Sequence, residues 1–248
     1  MIDFSYLERG LDGLANAHRG GAMAGHPGAA LVAAYCFTEN NPSLDPGVFR
    51  AIERDLERIL GGEEGFWIDK KSGVTTQDLF QPLPKVEGAE DGKVGAIVDA
   101  LGGNLDRTRQ SGHNVIFAAA AIRAFSDHPE LATPERLLGI VKLTESFDKA
   151  GPGRGYYGKS VGWKATIDAA LPGDVAKESF ESFDQAAEAV IDELIATAGE
   201  HRQGFGGLMH LIDHVAGLVE LDRHGFSDAA RKGLPALRQH LRLLHSLP

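Results

Sequence analysis

The chain is predicted to be all-α on three observations. Leu7, Leu11 and Leu14 recur at helical spacing, Ala-rich apolar stretches alternate with amphipathic ones, and a helix–loop–helix pattern repeats along the sequence. Hydrophobic residues make up 43% of the 248 residues and charged residues 24%, enough to build a buried core, so residues 1–248 are expected to form a single all-α domain.

The repeat fixes the order of the elements. The first unit reads HPGAALVAAYCFTENNPSLDPGVFRAIERDLERIL from His26. The second reads HNVIFAAAAIRAFSDHPELATPERLLGIVKLTESF from His113, and the third HLIDHVAGLVELDRHGFSDAARKGLPALRQHL from His210. In each a histidine opens an apolar helix, a polar loop follows, and a cap (Asp45, Thr133 or Ser227) starts a striped helix; Pro46 and Pro134 stand at the first helical position after two of these caps. Helices apolar on nearly all faces belong inside and striped ones outside, which predicts repeated helical hairpins in an α/α solenoid or closed α/α toroid. A degenerate fourth copy is expected through Gly153–Tyr157 into a helix over about 160–170, with Trp163 in the place of the histidine. Val190, Ile191, Leu194 and Ile195 mark a further helix. Residues 61–90, rich in turn formers and carrying Phe66 and Trp67, break the pattern and are expected to be an insertion, either a lid-like ordered loop or a surface excursion.

Charge and composition exclude several functions. A formal net charge of -10 argues against nucleic acid, whose phosphates call for a basic stripe. Apolar runs such as 115–122 and 29–37 fall short of the about 20 residues that a membrane-spanning helix needs. Acidic residues occupy the start of the chain where a signal peptide would be basic, and Cys36 is the only thiol, so a cytoplasmic location is expected. Cys36 and the run Ala118–Ala121 read as core. A homo-oligomer is compatible with these features.

Equivalent places in a repeat bring His26, His113 and His210 toward one end of the inner helices, and three neutral imidazoles are the first shell of a catalytic metal with an open position. His214 follows His210 at i+4, a spacing that lets two histidines share an ion. The expected metal ligands are therefore His26, His113, His210 and His214, with a divalent ion such as zinc or iron. His113 and Asp213 are the candidate catalytic residues, Asp213 as a base or as the orienter of a histidine. Neither an HExxH motif nor a His-Asp dyad is read from the sequence.

Arg19, Arg109, Arg154 and Arg202 precede inner helices beside glycine-rich turns and could form a cationic ring for a carboxylate or phosphate, or merely cap helix C-termini. Arg109, Arg202, Tyr157 of the Gly151–Lys159 loop, and Trp67 are the expected substrate-binding residues. Gly158-Lys159-Ser160 ends like a phosphate loop, but no strand precedes it and the helical context is wrong. The leading expectation is an enzyme acting on a small polar or anionic molecule at a histidine-lined metal site. A metal-free isomerase or lyase using histidine and carboxylate acid/base chemistry is the first alternative, and a helical repeat scaffold for a protein partner the second.

Overall fold

The structure, a computed structural model, describes residues 1–84, 93–165, 180–199 and 209–247. These residues are mostly helical, with two three-residue strands. No helix among them is long and apolar enough to cross a membrane. The chain divides into two compact units, Met1–Ala100 with Ala120–Ser146 and Leu101–Ala119 with Phe147–Pro248.

In the first unit α1 (Ser5–Ala17) buries Leu7, Leu11 and Leu14 completely, the stripe expected of their spacing. It packs on α2 (Gly25–Asn40), which contributes Leu31, Val32, Tyr35 and Cys36 to the core. The two helices approach closely because Gly28 lies against the α1 backbone: a Cβ there would meet Leu14 N at 2.5 Å and Gly10 O at 2.8 Å. Backbone atoms cannot swing aside as a side chain can. Gly28→Ala is therefore expected to cost about 3 kcal/mol, the upper part of the overpacking range, measured as a lowered urea midpoint.

The loop after α2 ends at Asp45, whose carboxylate accepts from Gly47 N, and Pro46 opens α3 (Pro46–Leu60). Only Leu56 and Leu60 of α3 are buried, so it is the striped partner of apolar α2. Thr133 likewise accepts from Arg136 N and Pro134 opens α7 (Pro134–Glu145), which packs on α1. The insertion contains a 3-10 turn, Gly65–Trp67, and a short helix α4 (Thr76–Leu79) closed by a capping box between Thr75 and Asp78. It is pinned to α1, since Asn16 Nδ2 donates to Leu79 O and Gln81 O, both at 3.0 Å, and Leu79 and Phe80 are buried. Up to residue 84 the insertion is thus an ordered loop anchored through Ile68, Leu79 and Phe80, with Phe66 and residues 69–73 exposed; residues 85–90 lie outside the described residues.

Helix α5 (Gly95–Gly102) and helix α6 (His113–Asp127) each carry residues of both units. Ala118, Ala119 and Ala121 of α6 are buried, as expected of a small-residue stripe.

In the second unit only Ser160 and Val161 of the helix expected in the fourth copy are helical among the described residues. Strand β1 (Arg154–Tyr156) pairs antiparallel with β2 (Trp163–Ala165) around a short helix α8 (Gly158–Val161), and Tyr156 stands opposite Trp163. Gly158 and Gly162 both take positive φ, which breaks a helix, and the Tyr156–Trp163 edge contact stabilises the strand pair. The rest of the expected helix, 166–170, lies outside the described residues.

Helix α9 (Phe183–Thr197) begins at Ser182, whose hydroxyl accepts from Gln185 N. It packs on α10 (Leu211–Arg223), which packs on α11 (Ser227–His245). Ser227 is not a cap. Gly225 turns the chain through a positive φ, Phe226 N returns to Leu221 O, and Ser227 is already the first helical residue.

Candidate metal site

His113 opens α6 after an unusual turn. Gln110, Ser111 and Gly112 have φ of 43°, 58° and 87°, three successive residues on the left-handed side of the backbone map, two of them with a Cβ. Such conformations persist only where the surroundings over-determine them. Here Gln110 N donates to Gly151 O and Ser111 N to Pro152 O, both at 2.7 Å. The turn hands the Gln110 carbonyl to Nδ1 of His113, which is 4% exposed.

The same segment is anchored on both sides. Thr108 Oγ1 donates to Ala236 O at 2.6 Å, and Asn114 Nδ2 donates to Asn104 O at 3.0 Å. Arg109 is also buried: its Nη1 donates to Ala150 O at 3.0 Å and its Nη2 to Asp106 Oδ1 at 2.9 Å. Partial burial raises the Asp106 carboxyl, but the hydrogen bonds and charges of Arg107 and Arg109 outweigh it and hold the group below its ordinary range.

His210 stands just before α10, and Gly217, about two turns further along that helix, lets α10 approach Val115 and Ala119 of α6. The His113 and His210 rings meet edge to face with centroids 4.5 Å apart, and their ligand-capable nitrogens lie within 4.8 Å of one another. His210 Nδ1 donates to Asp213 Oδ2 at 2.9 Å. The two residues thus join across one helical turn, the arrangement in which a carboxylate orients a histidine.

His26, in the first unit, has the local arrangement of His113: its Nδ1 donates to Met23 O at 2.7 Å, three residues back. His18 bonds Ala15 O in the same way, at 2.9 Å. The His26 ring stacks on Trp67 with centroids 3.8 Å apart and planes within 7°, and Trp67 Nε1 donates to Glu64. A carbonyl or carboxylate can only accept, so Nδ1 carries the proton in His26, His113 and His210, and Nε2 bears the lone pair a metal would take. Comparison with known protein families, with curated proteins and with solved structures gives no match.

His214 has a different setting from His210. It is fully buried, its Nδ1 lies 3.2 Å from Nδ1 of His240, and a Cβ on Gly112 would meet its ring at 2.6 Å. Burial pushes its pKa down to about 4, so the ring is neutral at pH 7.

Of the expected substrate residues, Arg109 is committed to Ala150 and Asp106, and Arg202 lies outside the described residues. Tyr157 bonds Ser246 through its hydroxyl at 2.9 Å and has Lys164 Nζ 6.0 Å from its ring centroid. Arg154 is exposed on β1, and Arg19 reaches Asn16. The sequence reading missed Gln110, Ser111 and His240. No local signal marks the first two, whose backbone is set by hydrogen bonds to a distant loop, and His240 sits in an amphipathic helix that offers none.

Two imidazoles whose Nδ1 protons are held by oxygens, one of them a carboxylate, form a donor set that suits a borderline transition ion and not a hard ion such as calcium.

Proposed function

We propose that the protein is an enzyme acting on a small polar or anionic molecule through a histidine-lined divalent-metal site, with His113 and His210 as ligands. His26, at the equivalent place in the repeat, keeps the same Nδ1 anchor within the first unit. The observation that carries the reading is the His113–His210 contact in which each ring is held through Nδ1. Zinc or iron fits these donors, and a bound ion of this kind supplies Lewis acidity and a water of lowered pKa. Asp213 orients His210 and, with a half-exposed carboxylate, is placed to take a proton from solvent-side chemistry. His214, tied to His240, serves the core beneath the pair.

The reading extends to the finer architecture. Apolar α2 and striped α3, each with its own cap, support an array of inner and outer helices, proposed as an α/α solenoid or closed toroid in the cytoplasm, with self-association into a homo-oligomer left compatible.

Titration of chelator-stripped protein with Co(II) tests the site. A visible absorption band saturating at one equivalent is expected, at least tenfold weaker in affinity for His113→Ala and His210→Ala. No band in the wild type would remove the metal from the account. The His210–Asp213 pair favours one second reading, metal-free acid/base catalysis, under which turnover survives exhaustive chelation and falls in Asp213→Asn.

A further inference from the structure

We propose that the Gly151–Gly153 loop is a positioning element for His113, setting the tautomer in which the ring presents Nε2. The inference rests on reading His113 as a ligand. It starts from the two hydrogen bonds in succession, Gln110 N to Gly151 O and Ser111 N to Pro152 O, which hold two residues with side chains in the left-handed region. Without them Gln110 and Ser111 would relax to ordinary φ, and the Gln110 carbonyl would turn away from His113 Nδ1. That carbonyl is what keeps the proton on Nδ1.

The loop is itself held. Arg109, the residue before the turn, donates Nη1 to Ala150 O, so the guanidinium ties the approach to the turn and the start of the loop together. Gly153 lies so close that a Cβ would meet Ser111 Oγ at 2.5 Å and Ser111 N at 3.1 Å, and its φ of 125° is one that side chains rarely adopt. Arg109 and Gly153 thus act through His113, as positioning residues, and touch no reacting atom.

The test is nitrogen-15 NMR of the histidine rings in the full-length, chelator-treated protein at neutral pH, with the His113 signals assigned by their loss in His113→Gln. The wild type is expected to show a protonated Nδ1 and an unprotonated Nε2. Gly153→Ala is expected to leave His113 averaging between tautomers and to weaken zinc binding by about tenfold to a hundredfold, with helical circular dichroism unchanged. Ser111→Gly keeps the left-handed turn open to the backbone and is expected to retain both tautomer and affinity. Should Gly153→Ala not fold, Arg109→Gln, which frees Ala150, is expected to shift the tautomer in the same direction. A wild-type ring protonated at Nε2, or a tautomer unmoved by Gly153→Ala or by Arg109→Gln, would overturn the proposal. The tautomer is read before any metal is added, so it reports on the loop whether or not zinc then binds.

Discussion

Asp12→Ala is expected to destabilise the protein by about 3–5 kcal/mol, the cost of stranding a buried charge. Asp12 lies on α1 and Arg136 on α7, and their Oδ1 and Nε are 2.8 Å apart with side chains only 5% and 8% exposed. Arg136 Nη1 also donates to Leu131 O at 3.3 Å, so the guanidinium stays in place when its carboxylate is removed. Water cannot reach it to compensate. Replacing both partners by apolar residues of similar size, Asp12→Leu with Arg136→Met, removes the stranded charge and is expected to cost far less than Asp12→Ala alone. Urea unfolding of the two single variants and the double variant measures this. A loss under about 1 kcal/mol for Asp12→Ala would mean that the pair behaves like an exposed one.

Stability should also fall steeply on mild acidification because of His214. Its ordinary pKa is 6.5 and burial lowers it to about 4, with no other cause contributing. Above pH 6.5 neither the folded nor the unfolded chain protonates the ring, and its stability is fully present. As pH falls from 6.5 toward 4 the unfolded chain binds the proton and the folded one does not, so stability drops by about 3 kcal/mol over that window. Urea unfolding at pH 7.5, 5.5 and 4.5 reads the slope. His214→Leu is expected to flatten it; an unchanged slope in that variant would place the acid sensitivity elsewhere.

The parts of the fold written in local chemistry were legible in the sequence. Leu7, Leu11 and Leu14 give a stripe, and Asp45-Pro46 and Thr133-Pro134 give helix starts, because capping and periodicity depend on a few neighbouring residues. The third start failed at Ser227 because a turn at Gly225 set the boundary one residue early. The β1–β2 pair was missed for a related reason: Tyr156 and Trp163 stabilise it only once they face each other across the register.

The site divides in the same way. Histidines at the openings of apolar helices could be read from the repeat, and His113 and His210 do meet within the second unit. What holds them could not be read. The Gly151 and Pro152 carbonyls lie about 40 residues along the chain from the turn they clamp, and the His214–His240 bond joins two helices. A left-handed φ at a serine leaves no compositional trace, because tertiary hydrogen bonds impose it against the residue's own preference.

We propose that the histidine pair His113–His210 holds a divalent metal. The most direct test is the metal content of protein expressed and purified without a histidine tag, measured by plasma mass spectrometry on the wild type and on His113→Ala. Near-stoichiometric zinc or iron is expected in the wild type, and its loss in the variant. Wild-type protein that carries no transition metal, and whose melting is the same with and without zinc after chelation, would contradict it.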